Sequence, residues 1–469
     1  MTLLLLFFPA LLTFLLSFSK SLKIKNILPW TSLVILIPII ILFFEDKPYR
    51  LLGDYLIVDK LNSFILLVSS VVSIGVTLSL LTLDKRVNIS QSDYRRFYRF
   101  FGIFWIGLII SILSNNMGIY WVGLEMATLS TVYMIKTNNA PNARLQTWSY
   151  LIVGVIAISL MLFGIILIYA SAKPNLGEDA MNFNILLMNV HGIKNAFLFD
   201  IGFSIVMIGM FIKMGFFPMN LWLANIERAS YYPVAALFSG ILESAILVGF
   251  FRFSQIAIIF NHPKIFMFTL IYIILTLFFV AFLIYRTKDF MRLFSLSGVE
   301  NMALIVLFWI AGSPFAALLH FGAHAFLKPA LFLSLGILES HGQYRIAGAL
   351  KGYRDLNGKV FAFGVTFFFL SLIALPPSPF FFSEIYGFGA MVAFANTTNS
   401  FLFTIAAIAA LLILMSIIFY KFIEVFQSMK YEGEWREKTV YKSETVSIVI
   451  FALAAVALLF SFDYLKGIV

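Results

Sequence analysis

Apolar runs about as long as a bilayer is thick recur from one end of this sequence to the other, separated by short polar connectors. In helical form about 20 apolar residues cross the hydrocarbon of a membrane. Inside it every backbone N–H and C=O needs a partner, which a helix supplies from within the segment. The chain is therefore read as an all-α integral membrane protein. Of its 469 residues, 61% are hydrophobic and only 12% are charged, whereas about a quarter of a soluble protein is charged. Fourteen transmembrane helices are expected, over 2–19, 27–44, 61–83, 97–114, 117–136, 147–171, 197–217, 229–251, 264–285, 293–312, 314–339, 360–395, 401–427 and 443–465.

The 33 Lys and Arg residues test this division. About two thirds of them fall in the connectors after odd-numbered spans, the side that the positive-inside rule makes cytoplasmic. Both termini are then expected outside, in the plasma membrane of a prokaryote. The opening MTLLLLFFPALLTFLLSFSK has its lysine only after the apolar run, so it reads as a retained first span rather than a cleaved signal. Topology accounts for the net charge of +10, so the lipid bilayer is an expected partner and nucleic acid is not. Cysteine is absent, which excludes disulfides, thiolate metal sites and cysteine-ligated iron–sulfur clusters from this chain. No cofactor is expected here, and any electrons travel in another subunit.

Two spans are interrupted by proline. The seventh runs into Pro218 in FIKMGFFPMNLW, and the twelfth carries Pro376, Pro377 and Pro379 in ALPPSPFFFSE. Proline removes a backbone donor and clashes with the preceding turn, so both helices should break there. Broken helices five spans apart, each beside an ionisable residue, suggest two inverted five-helix repeats; ordinary proline kinks are the alternative. On the repeat reading the chain divides into helices 1–3 (1–96), a first repeat (97–251), a second repeat (252–427) and helix 14 (428–469).

Ionisable groups at membrane depth are costly and survive where protein or water surrounds them. Glu125 lies in the fifth span and Lys213 in the seventh. Such a pair can switch, because moving either partner changes the other's proton affinity; it can equally be a static ion pair that fixes packing. In LLHFGAHAFLKPALFLSLG, His320, His324 and Lys328 fall at i, i+4 and i+8, a strip on one helix face with about 6 Å between successive residues. Such a strip can hand protons along. His-x-x-x-His also presents two metal ligands on one face, and satisfied structural histidines are a third reading. Glu243 in the eighth span and Glu384 after the twelfth-span break extend the set. Glu300, Lys421 and Glu424 fall nearer span ends, where capping, pairing or snorkelling is expected.

These motifs resemble, in order, those of the antiporter-like membrane subunits of respiratory complex I and its relatives. The segments are SNNMGIYWVGLEMATLSTVYMI, FIKMGFFPMNLWL, RLFSLSGVENMALI, LLHFGAHAFLKPALFLSLG and LPPSPFFFSEIYGF. The fifth-helix wording is most similar to the hydrogenase-4 component F branch, found with membrane-bound nickel–iron hydrogenases. The resemblance implies fourteen helices and proton translocation, with Glu125 and Lys213 as the switching pair, the eleventh-span strip as the relay and Glu384 as the terminal group. It also implies other membrane subunits and a peripheral redox arm as partners, which would carry the iron–sulfur clusters and nickel–iron centre. A subunit of a multisubunit sodium/proton antiporter and a non-conducting scaffold are the alternatives. The chain departs from the family wording after Trp222 and Leu223: Ala224, Asn225, Ile226 and Glu227 replace Pro-Asp-Ala-His. Further on, Ala229, Ser230 and Tyr231 replace Glu-Ala-Pro, and Asn301 stands where histidine is common.

Overall fold

The computed structural model describes residues 2–19, 26–44, 48–87, 89–135, 143–260, 263–340, 359–398, 401–427 and 440–468. The first half carries α1 (Thr2–Leu16), α2 (Leu28–Phe43), α3 (Lys60–Leu80), α4 (Leu83–Arg86), α5 (Gln91–Leu113), α6 (Met117–Ile135), α7 (Ala143–Leu176), α8 (Phe183–Asn189) and α9 (Ala196–Lys213). There follow α10 (Leu221–Ala229), α11 (Tyr232–Leu237), α12 (Glu243–Phe260), α13 (Pro263–Arg286), α14 (Phe290–Ile310) and α15 (Pro314–Ser340). The last are α16 (Lys359–Leu372), α17 (Pro379–Thr398), α18 (Phe401–Gln427), α19 (Lys442–Leu458) and α20 (Phe462–Lys466). Among the described residues nine helices are long and apolar enough to cross a membrane, and α1 and α2 are apolar but shorter. Each expected span overlaps at least one helix; the eighth takes in α11 and α12, the twelfth α16 and α17, and the fourteenth α19 and the start of α20.

The helices form two compact units. The first comprises Met1–Ser70, Ser92–Trp222 and Leu242–Thr269, and the second Val71–Gln91, Leu223–Ile241 and Leu270–Val469. In the first unit α7 packs along α9. A Cβ on Gly164 would lie 2.5 Å from the Gly202 carbonyl oxygen, and one on Gly202 would lie 2.8 Å from that of Gly164. Only glycine lets two backbones approach so closely, which is how helices gain packing energy where lipid removes the hydrophobic drive. Helix α9 begins at Asn195, whose side chain accepts the Leu198 N–H (3.1 Å). It stops at Lys213, and Gly215 then turns with φ +73° ahead of Pro218. The Trp222 indole N–H donates to the Ile212 carbonyl (3.0 Å), satisfying one acceptor that the break frees. A two-stranded hairpin, β1 (Tyr49–Leu51) and β2 (Leu56–Val58), occupies a connector where the sequence reading had no element.

In the second unit α14 and α15 are the interior, each with its whole apolar window buried, whereas only 28% of the α18 window is covered. Helix α15 packs against α11, α14, α17 and α19. Asp289 caps α14 by accepting the Arg292 N–H (3.0 Å). Ser378 caps α17 by accepting the Phe381 N–H (3.2 Å), so the proline break is followed by a properly started helix. A bidentate pair joins Arg86 to Glu444 at 2.6 Å for both contacts, with Thr82 donating to the same carboxylate (3.1 Å).

Candidate functional site

His320, His324 and Lys328 lie on successive turns of α15, none more than 1% exposed. His320 Nδ1 lies 2.8 Å from Ser383 Oγ on α17, and Nε2 lies 2.9 Å from Asn301 Oδ1 on α14. Asn301 donates its amide to the Ser297 carbonyl (2.5 Å), which turns its oxygen toward the ring, so His320 Nε2 carries a hydrogen. Ser383 also lies 2.9 Å from the Phe380 carbonyl. Its single hydroxyl hydrogen therefore has two uses. With His320 neutral the hydroxyl donates to Nδ1; with His320 charged, Nδ1–H donates to Ser383 and the hydroxyl turns to Phe380. The site accommodates both protonation states by rotating one hydroxyl.

Two turns below, Lys328 Nζ donates to the Phe294 carbonyl (2.7 Å). The amine lies in the field of Glu300 and of Glu227, and His324 lies beside it. Glu300 in turn interacts with Glu384, which follows Ser383 on α17. A glycine at 298 leaves His324 Nε2 as the nearest atom, 3.9 Å from where a Cβ would stand. The expectation that Glu300 sits near a span end is corrected: α14 starts at Phe290, which puts Glu300 at mid-helix and 6% exposed. Of the residues expected in the path, His320, His324, Lys328 and Glu384 all belong to this unit.

Glu125, Lys213 and Glu243 belong to the other unit. Lys213 is buried at the end of α9, and its amine donates to Thr128 Oγ1 (3.1 Å). The Thr128 hydroxyl donates to the Leu124 carbonyl (2.8 Å), so a lone pair is what it offers the amine. Gly154 leaves room for that amine, since a Cβ there would stand 3.3 Å from it. Glu125 sits one turn from Thr128 on α6, half-buried, with Oε2 unpartnered. It lines an open, mostly apolar groove of about 360 Å³ with Phe100, Trp121, Leu129 and Tyr133. Lys213 lies within the field of Glu125, yet among the described residues no ion pair joins them. The amine donates to a neutral oxygen and not to the carboxylate. Glu243 is buried at the start of α12, next to Ser244, whose hydroxyl takes a hydrogen bond from Ser69 (3.3 Å).

The sequence reading missed Thr128, Ser383 and Glu227 as site residues. Thr and Ser are common in membrane helices and carry no signal of their own. Glu227 looked like part of a connector. Among the described residues no group of three or more His, Asp and Glu is placed to hold a metal ion, so the His-x-x-x-His spacing gains no third such ligand.

Residues 114–411 match the family described as NADH:quinone oxidoreductase/Mrp antiporter, transmembrane. The chain belongs to this family. A hydrogenase-4 component F homolog of Methylacidiphilum infernorum is 29% identical over 360 residues, covering 73% of each chain. The fold is similar to a chain of the membrane-bound sulfane sulfur reductase, an archaeal respiratory membrane complex. That match has TM-score 0.82 and 18% identity, over 100% of this chain and 96% of that one. It is similar also to a chain of the Mrp complex from Dietzia sp. DQ12-45-1b, with TM-score 0.77 and 15% identity, over 99% and 94%. As a member of this family the chain is a multi-pass, antiporter-like membrane subunit.

Proposed function

We propose that this chain translocates protons as the antiporter-like membrane subunit of a redox-driven, hydrogenase-like or complex I-like assembly. The observation that carries the reading is the buried sequence His320–His324–Lys328, flanked by Glu300 and Glu384 and fitted with a hydroxyl, Ser383, that serves both states of His320. A purely structural core has no use for so many ionisable groups, because each costs several kcal/mol to desolvate, about that much per ion even after relaxation. In the first unit Lys213 moves between Thr128 and Glu125, and Glu243 is a further acid of the path. Protons pass between groups too far apart for direct contact by way of water.

On this reading the chain crosses a prokaryotic plasma membrane fourteen times with both termini outside, built from two inverted five-helix repeats. Its partners are other membrane subunits and a peripheral redox arm that holds the iron–sulfur and nickel–iron centres; electrons do not enter this chain. The kinship with Mrp antiporters supports a second reading, a subunit of a multisubunit sodium/proton antiporter. Copurification separates the two: iron–sulfur and nickel partners favour the first, and small membrane subunits alone favour the second. Proton pumping by purified complexes carrying Lys213→Ala or Lys328→Ala tests translocation itself. Undiminished pumping at normal turnover in both would leave the chain as a scaffold.

A further inference from the structure

Helix α10, which follows the break at Pro218, carries two adjacent charged residues with opposite fates. Arg228 faces outward, its side chain 49% exposed, and pairs with Asp289 at the start of α14. Glu227 is 1% exposed, as expected for a neighbour rotated about 100° around the helix. A buried carboxylate in a purely structural role is held by hydrogen bonds or by a direct ion pair. Glu227 has Ser295 of α14 beside one oxygen, while the other, Oε2, has no hydrogen-bond partner among the described residues. The basic group in whose field it lies is Lys328, the end of the α15 strip. Lys328 donates to the Phe294 carbonyl, and among the described residues no ion pair joins it to Glu227. The carboxylate thus lies in the field of the amine without a direct ion pair to it, one residue from a charge pair that marks the protein surface.

We infer that Glu227 is a further member of the proton path, the acid through which Lys328 is loaded from the side of the Arg228–Asp289 pair. This rests on the proton-translocating reading above. The step is a proton transfer from the Glu227 carboxylic acid to the neutral Lys328 amine: an O–H bond breaks, an N–H bond forms, and a carboxylate and an ammonium remain. The carboxylate then takes its next proton from water at the surface, and Lys328 passes its own along α15. Among the described residues Glu300 also acts on Lys328, from α14.

Complexes reconstituted in proteoliposomes with Glu227→Gln, Glu227→Asp and Lys328→Ala test the inference. Proton translocation is read against the rate of the driving reaction, with assembly checked by yield. Loss of a general acid or base lowers a rate by about 10²–10⁴-fold, so Glu227→Gln is expected to pump at least about tenfold more slowly. Asp, which keeps the acid, should restore most of that rate. Wild-type pumping by Glu227→Gln alongside a dead Lys328→Ala overturns the role of Glu227 alone. Wild-type pumping by Lys328→Ala overturns the reading on which it rests. If the glutamine complex does not assemble, infrared difference spectra of the wild-type complex under a pH step decide. A carboxylic-acid band that shifts in Glu227→Asp supports the inference, and a spectrum identical in the two overturns it.

Discussion

Replacing Thr128 by valine removes the one hydrogen bond that parks Lys213 away from Glu125. Lys213 is 3% exposed and its amine lies 3.1 Å from Thr128 Oγ1, so water cannot readily take the place of that acceptor. Valine keeps the branched shape and deletes only the oxygen. A hydrogen bond to a charged group contributes about 1.5–3 kcal/mol, and 1.4 kcal/mol is about a factor of ten in an equilibrium. The distribution of the ammonium between Thr128 and Glu125 should therefore shift toward the carboxylate by roughly 10- to 150-fold. A lysine locked on its counter-charge no longer switches. Pumping by the Thr128→Val complex in proteoliposomes should fall at least about tenfold on these energies, with assembly intact, and Thr128→Ser should recover it. Wild-type pumping by Thr128→Val would refute the idea that Thr128 is the resting place of Lys213.

Ser383→Ala takes away the hydroxyl that serves both states of His320. Proton translocation should slow at least about fivefold, since one unsatisfied buried nitrogen costs about 1–3 kcal/mol, and Ser383→Thr should pump normally. Glu444→Ala removes the carboxylate that pairs with Arg86, whose side chain is only 5% exposed. Breaking such a pair costs about 3–5 kcal/mol, so thermal unfolding in nanodiscs should come at a distinctly lower temperature; an unchanged midpoint would mean the pair is solvated. Gly202→Val drives a side chain into the α7 backbone, where a Cβ alone already lies 2.8 Å from a carbonyl oxygen. Overpacking of this kind costs about 1–3 kcal/mol, to be seen as lower thermal stability without any change in proton-to-turnover ratio.

The helices were legible because apolar length is a one-dimensional signal: each expected stretch overlaps a helix, and both proline breaks fall between helices. The strip on α15 was legible too, since 3.6 residues per turn places i, i+4 and i+8 on one face whatever surrounds them. What surrounds them was not. Nothing in the spacing of Ser383 or Asn301 says that α17 and α14 bring them to the two nitrogens of His320. Thr128 hides among hydroxyls that bond their own helix backbone, as Ser130 does two residues on. Glu300 was assigned to a span end because α14 begins earlier than its apolar run does. Glu227 was noticed only as a departure from the family wording. Its burial depends on how α10 turns after the Pro218 break, which a hydropathy profile does not record.

The central claim is that the lysine-centred strip of α15 carries protons. The ratio of protons moved to driving turnovers, compared between the wild-type complex and Lys328→Ala in sealed proteoliposomes, tests it most directly. The ratio should fall with the substitution while the complex remains assembled. An unchanged ratio at unchanged turnover would contradict it.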